Sequence, residues 1–267
     1  MKRLLSGWTA IRLVTLLAYL FLFGPIVVVI LLSFNPQEFG SFPIKGLTLR
    51  WYVQLADNEQ IRNAVRTSFI LGGATTLIST SIGLAAAMAL VRYEFPGKQL
   101  VSTLLTAPIL VPQVVLGVAL LLFLRSIGMV TSFWLLLVGH VVLTLPFVIL
   151  VVQARLYAIP RVYEEAAMSL GADRWHAFKD VTLPLLAPAV AAGGLFAFTI
   201  SFDDVTATLF WKPTGIETVP TQILAMLRLS MSQELNALGT AMILFTVSLP
   251  LAAIGLMMLL QRRMGRA

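Results

Sequence analysis

Two adjacent carboxylates sit inside a stretch that otherwise carries no charge. Asp203 and Asp204 follow the uncharged run 181–202 and precede another at 205–211. A carboxylate at membrane depth is costly unless it faces water, pairs with a cation or serves a function. The chemistry such residues offer is cation handling, because carboxylate oxygens can replace part of the hydration of an ammonium group. An anionic solute would be repelled. Successive helical residues point about 100° apart, so both acids cannot line one axis. Two readings stay open: one lines a path while the other caps a helix, or they pair with Arg or Lys of a neighbouring segment. Catalytic chemistry has little to work with. The chain has no Cys and only two His. That excludes disulfides, thiolate metal sites and a Cys nucleophile, and leaves little for a His-based triad. So few such residues leave no metal site or catalytic residues expected, and with no GxxxxGK[ST] phosphate loop the chain is not expected to hydrolyse ATP.

A few polar and aromatic side chains accompany the two acids. Gln113 stands beside Pro112 and is expected to face inward. Trp51, Tyr52 and Trp211 suit either anchoring at the membrane surface or stacking on a cationic amine. His140 reads as a packed, hydrogen-bonded residue rather than a ligand. Pro108, Pro112, Pro146 and the pair Gly193-Gly194 fall inside apolar segments. Each is a packing kink or a hinge beside a cavity, since a break frees backbone groups that something must satisfy.

A second constellation lies in the polar segment 154–184. Pro160 can open a helix, because its missing N–H is not needed in the first turn. Arg161 to Leu170 continues that helix, with Glu164 and Glu165 near its positive end. Gly171 is a natural stop. Asp173 can cap a second short helix bearing Trp175, His176 and Phe178. Leu183-Pro184 closes the excursion. Ala166 and Ala167 make a small face that another surface can approach closely, and Trp175 and Phe178 add bulk. A plain connector would be nearer 4–6 residues long. This one reads as a docking element for a groove on a partner.

The elements that position these residues are membrane spans. The chain is 58% hydrophobic and 12% charged, and its mean hydropathy is +0.91. A soluble domain carries about twice that charge. Crossing hydrocarbon takes about 20 apolar residues. Six segments qualify, at about 11–34, 64–91, 100–124, 131–153, 185–211 and 239–260. With backbone groups paired internally, they are helices. The first continues too far for a signal peptide and lacks an A-x-A site. An outer stretch near 35–63 has aromatic punctuation at Phe39, Phe42, Trp51 and Tyr52 and a short helix from about Leu49 to Leu55. Another becomes amphipathic from Pro220 to Leu238, with Ile223, Leu224, Leu227 and Met231 at helical spacing.

Twelve of the 19 Lys and Arg residues fall on one side of this topology. They include Lys2, Arg3, Arg92, Arg155, Arg161, Arg174, Arg262 and Arg266. The positive-inside rule makes that side cytoplasmic. Both termini and the 154–184 loop are therefore expected in the cytoplasm. The net charge of +7 has a topological explanation, and nucleic acid is not an expected partner. The whole chain, 1–267, reads as a single transmembrane domain.

Glu165-Ala166-Ala167, then Gly171, then Val181, Leu183 and Pro184 is similar to the EAA loop of permease subunits of bacterial ABC importers. The resemblance covers nearly the whole chain. Gly24-Pro25, Ser33-Phe34-Asn35 and Leu47-Thr48-Leu49-Arg50-Trp51-Tyr52 resemble the start of polyamine permeases. Leu110-Val111-Pro112 with Val114-Val115-Leu116-Gly117, Ile200-Ser201-Phe202-Asp203-Asp204 and Asn236-Ala237-Leu238-Gly239-Thr240 resemble the second permease subunit of spermidine/putrescine importers. Related subfamilies move opines, aminoethylphosphonate, thiamine or ferric iron.

The resemblance implies an all-α, six-span, type I ABC importer permease in the bacterial inner membrane. It implies a homologous second permease, a cytoplasmic ATPase dimer and an extracytoplasmic substrate-binding protein as partners. ATP and Mg would be bound on the ATPase. The 161–171 helix would be the coupling helix, and one subunit would form half of a pathway worked by alternating access. A stand-alone channel or secondary transporter leaves the 165–184 motif unexplained. An intramembrane enzyme would need a constellation that the spans lack.

Overall fold

A computed structural model describes residues 7–38, 43–229 and 232–264. Within them the ordered elements are helices, twelve of them α. Lys2, Arg3, Phe39, Phe42, Met231 and Arg266 lie outside the described residues. Five helical stretches are long and apolar enough to cross a membrane, and a bent pair makes a sixth if counted as one span. The helices sort into two compact units, 1–62 with 222–252 and 63–221 with 253–267.

In the first unit, α1 (Gly7–Leu32) is apolar all round and buries none of its hydropathic window within the chain. The short α2 (Arg50–Asp57) lies where the aromatic pattern predicts a helix. The unit joins the two sequence motifs that flank it. Trp51 donates its indole N–H to the Asn35 carbonyl at 2.7 Å. The Ser33 hydroxyl meets the Tyr52 hydroxyl at 2.7 Å, and Thr48 N–H bonds the Phe34 carbonyl at 2.9 Å.

The second span, α3 (Glu59–Arg92), begins earlier than its apolar stretch. Asn58 explains the start: its side-chain oxygen takes the Gln60 N–H at 3.0 Å and that of Ile61 at 3.3 Å, a polar cap that lets a charged turn join the helix.

The third expected span is broken rather than straight. Helix α4 (Lys98–Thr106) runs into a 3-10 turn at Ala107–Ile109, and α5 (Gln113–Ser126) starts afresh at a 115° bend. Pro112 supplies the cause. It has no N–H to donate, it disfavours helix in Val111 before it, and its own ψ of 134° is extended. Pro146 has no such effect, since α6 (Phe133–Tyr157) runs unbroken past it.

The polar segment folds into α7 (Val162–Ser169) and α8 (Arg174–Ala177). Leu183-Pro184 does not end the excursion as expected. A π-helical turn at Phe178–Thr182 carries α8 directly into α9 (Leu183–Asp203), so the chain is helical from Arg174 to Asp203. Pro184 sits in the first turn of α9, where its missing N–H is harmless. The fifth expected span stops short at Asp203, and α10 (Thr206–Trp211) follows as a separate helix.

The amphipathic helix α11 (Val219–Leu229) is shorter than its pattern suggests. The last helix, α12 (Gln233–Met264), starts before its apolar stretch. Gln233, 1% exposed, accepts a bond from the Asn236 amide at 2.7 Å, so polar residues are carried inside the first turn.

In lipid no hydrophobic force drives helices together, so small residues and close fit decide packing. The second unit shows this. Helix α6 packs chiefly along α9. An added Cβ at Gly193 would lie 3.3 Å from Val148, and one at Gly194 would lie 3.1 Å from the Thr80 hydroxyl. Gly193-Gly194 is thus a contact surface in an unbroken helix, not a hinge. Two apolar clusters complete this unit. One gathers Leu71, Leu124, Leu135, Leu136, Ala207 and Trp211; the other gathers Ala87, Val148, Val152, Leu156, Leu186 and Ala197.

Candidate functional site

Two regions of the second unit carry most of the residues singled out by sequence. The first is the loop built on α7 and α8. Gly171 has φ of +97°, a left-handed conformation that a Cβ would strain. That conformation lets Gly171 N–H reach the Met168 carbonyl at 3.0 Å and Ala172 N–H the Ala167 carbonyl at 3.1 Å. The last carbonyls of α7 are thereby satisfied, and the chain reverses. Asp173 starts the next helix as its sequence position suggests, with Oδ1 accepting the His176 N–H at 2.8 Å.

The two glutamates of the loop part company. Glu165 is exposed, as are Ala166, Trp175 and Pro184, while Ala167 and Leu183 are half-buried. Glu164 turns inward. It accepts from Arg92 Nε at 3.0 Å and from the Thr182 hydroxyl at 2.9 Å. Arg92 also donates to the Ile159 carbonyl at 3.0 Å, and the Arg161 guanidinium bonds the carbonyls of Val91 and Arg92. The loop is therefore clamped to the end of α3. A cavity of about 320 Å³ lies beside the clamp, lined in part by Arg92, Arg161, Glu164, Glu165, Arg174 and Phe178. Sequence spacing gives no hint of Arg92, which lies 72 residues from Glu164.

The outward side combines Tyr163, Leu170 (91% exposed) and Trp175 (63% exposed) with the small Ala166. Trp175 and Phe178 rings pack 5.8 Å apart, and Phe178 is half-buried, so Trp175 alone of the two is exposed. The hydrogen bond that His176 makes to the Asp173 carboxylate raises the His176 pKa, and the bonds from the His176 backbone and ring lower that of Asp173.

The second region is the break between α9 and α10. Asp203 ends α9 and is exposed. Asp204 is extended, with ψ of 125°, and 7% exposed. Its Oδ2 accepts the Thr208 N–H and the Thr208 hydroxyl, both at 2.8 Å. Asp204 is thus the cap of α10, satisfying donors that a helix start leaves orphaned. The same hydroxyl meets His140 Nε2 at 2.9 Å, and His140 Nδ1 meets the Ser201 hydroxyl at 2.8 Å. His140 is packed and hydrogen-bonded, in line with its sequence reading; its partners Ser201 and Thr208 were not legible.

The aromatic candidates differ from expectation. Trp211 is fully buried rather than an interface anchor. Its indole donates to the Gly117 carbonyl at 2.9 Å, and it fills the space where a Cβ on Gly139 would come within 2.2 Å of its ring. Gly139 thus makes the slot that holds it, the Gly117 carbonyl takes its N–H, and no face is left for a solute. Trp51, in the other unit, is 6% exposed. Its N–H is spent on Asn35, and the Arg50 guanidinium lies 4.2 Å above its ring. Gln113 opens α5 after the proline break and is exposed. Asp203 and Gln113 therefore remain the outward polar groups at the two broken spans.

Residues 79–266 match the family of binding-protein-dependent transport system inner membrane components. The chain belongs to that family. It is similar to the spermidine/putrescine transport system permease protein PotC of Escherichia coli (strain K12), with 35% identity over 88% of this chain and 89% of that one. It is also similar to the putrescine transport system permease protein PotI of the same organism, with 32% identity over 88% and 85%. Among solved structures it resembles a bacterial ABC transporter involved in the import of the acidic polysaccharide alginate. The TM-score is 0.69 at 18% identity, covering 96% of this chain and 95% of the other. The six-span, all-α reading thus has a fold precedent, and the family places the chain in the inner membrane as a transport component rather than an enzyme.

Proposed function

We propose that this family member is one permease subunit of an ATP-driven importer for polyamines or similar small amines. The observation that carries the substrate class is Asp203, an exposed carboxylate at the break in an apolar span, in a chain 35% identical to a spermidine/putrescine permease. A fixed negative charge there lowers the cost of moving an ammonium group through low dielectric. Asp203 is the pathway group, and Asp204 holds the helix that positions it. Gln113 contributes a polar wall.

The partners follow from the incompleteness of the chain. It supplies half a pathway, so a homologous permease completes it, and an extracytoplasmic binding protein delivers the solute. Both termini and the 154–184 loop face the cytoplasm. There the exposed Tyr163, Ala166, Leu170 and Trp175 dock into an ATPase dimer, which binds ATP and Mg. Glu165 meets that partner directly, and Glu164 fastens the loop to α3.

The test is amine uptake by the complete complex reconstituted in vesicles with its binding protein and ATP. Asp203→Asn keeps size and polarity and removes the charge. Uptake per ATP hydrolysed should fall roughly tenfold, equivalent to about 1.4 kcal/mol on the passage barrier. Uptake equal to that of the parent complex would overturn the pathway role of Asp203.

A further inference from the structure

Among the described residues, His140 is the buried titratable side chain that the transport reading leaves without a task. It joins Ser201, two residues before Asp203, to Thr208, four residues after Asp204. Its bonds therefore span the break between α9 and α10. His140 and Thr208 are 0% exposed and Ser201 is 3% exposed, so no water competes for these groups.

The direction of each bond follows from what its atoms can do. Thr208 Oγ1 lies 2.8 Å from the Asp204 carboxylate and 3.1 Å from the Asp204 carbonyl. A carbonyl and an ionised carboxylate only accept. The Thr208 hydrogen is thus committed to Asp204, and its lone pair must receive a hydrogen from His140 Nε2. In a neutral imidazole the other nitrogen then accepts, and the Ser201 hydroxyl donates to Nδ1. The chain of donors runs one way, from Ser201 through His140 and Thr208 to Asp204. Every polar atom in it has a partner, the condition under which a buried network fixes one arrangement rather than several.

We propose that neutral His140, protonated at Nε2, staples the two sides of the break and sets the position of the Asp203 carboxylate, acting as a positioning residue for amine passage. The proposal rests on the reading of Asp203 as the pathway group. The staple ties the end of α9 to α10 through buried side chains, in addition to the backbone of Asp204 and Val205. A carboxylate displaced by even an ångström stabilises a passing ammonium less well, just as misplaced groups lose effect in catalysis.

Two measurements on the assembled complex test it. Nitrogen NMR of the complex labelled at histidine should show, for the signal lost in His140→Gln, a protonated Nε2 and an unprotonated Nδ1. The opposite tautomer, or a doubly protonated ring, would overturn the proposal. The second measurement is amine uptake per ATP hydrolysed. His140→Leu, which removes both bonds, should lower it roughly tenfold while binding-protein-stimulated hydrolysis persists. His140→Gln keeps a donor and an acceptor and should restore most of the loss. If His140→Leu moves amine as the parent does, or if Gln transports no better than Leu while both hydrolyse ATP, the staple is not a positioning device. Should His140→Leu fail to assemble, Thr208→Val removes the same tie at nearly constant volume and is read by the same ratio. Loss of uptake in Asp203→Asn with none in His140→Leu would defeat the staple alone, whereas an unaffected Asp203→Asn defeats the pathway reading beneath it.

Discussion

The 154–184 loop and the α9–α10 break both interrupt apolar helices with acidic residues, but they use them in opposite ways. In the loop, polar groups are spent on holding a scaffold so that others can face outward. Glu164, Arg92 and Thr182 are consumed internally, and Glu165, Ala166, Leu170 and Trp175 are left exposed. At the break Ser201, His140, Thr208 and Asp204 bond one another and are buried, while Asp203 is exposed. The difference teaches that a neighbouring pair of like residues is not one functional unit. In Glu164-Glu165 and in Asp203-Asp204, one member builds and its neighbour presents.

The largest effects should separate the regions by the kind of failure. Gly171→Val places a β-branched residue at φ of +97° on an exposed turn with open space around it. The subunit should still insert and assemble, yet ATP-driven uptake should drop by at least roughly tenfold, because the backbone must leave the left-handed region. Gly139→Val instead drives atoms into the Trp211 ring, against which even a Cβ would lie at 2.2 Å. Overpacking of this kind costs about 1–3 kcal/mol or more, and the amount of assembled complex should fall, as measured by fluorescence-detected size exclusion. Reversal of these two phenotypes would erase the distinction between regions.

Intermediate effects compare the two inward acids. Asp204→Ala removes the carboxylate that accepts from Thr208 N–H and leaves the Thr208 hydroxyl only the backbone carbonyl of residue 204, and should cost about 2–3 kcal/mol, seen as a lower thermal midpoint of the purified complex at fixed heating rate. Arg92→Ala should cost less, about 1–2 kcal/mol, since water can reach part of the Glu164 carboxylate, which is 20% exposed. The exchange Arg92→Glu with Glu164→Arg should recover part of that loss; no recovery would mean that the pair is incidental.

The smallest effect lies at the tip of the loop. His176 is raised by Asp173, so its contribution is complete below the ordinary imidazole value of 6.5 and fades as pH rises through the raised value. Asp173 is lowered, so its contribution is complete above the ordinary value of 3.8 and fades as pH falls through the lowered one. Together they favour the α8 start between those two ordinary values. Asp173→Asn should return the His176 titration toward its ordinary value in an NMR pH series, with no change in uptake.

The loop was legible from sequence because its rules are local. A glycine stop, an aspartate cap and an N-terminal proline act within about four residues. The break was less so. Hydropathy over a span-length window sees one apolar segment at 185–211 and another at 100–124, and neither window registers the extended backbone of Asp204 or Pro112. Choosing which aspartate caps requires the local backbone angles. Linking His140 to Thr208 requires a contact across 68 residues, which no periodicity encodes. The aromatics misled for a related reason: Trp51 and Trp211 have the composition of surface anchors, but their neighbours Asn35, Gly117 and Gly139 supply an internal hydrogen bond and a slot.

The unbroken helical path from Arg174 to Asp203 has a mechanical consequence. Thirty residues at about 1.5 Å each make a lever about 45 Å long. One end carries the exposed Trp175 and the other the Asp203 carboxylate. A stiff lever has no slack, so a push at its loop end must appear at Asp203 as a tilt or a turn, or be taken up in the π turn at Phe178–Thr182. No relay of side chains is then needed between the two ends: a single stroke of one rod moves both.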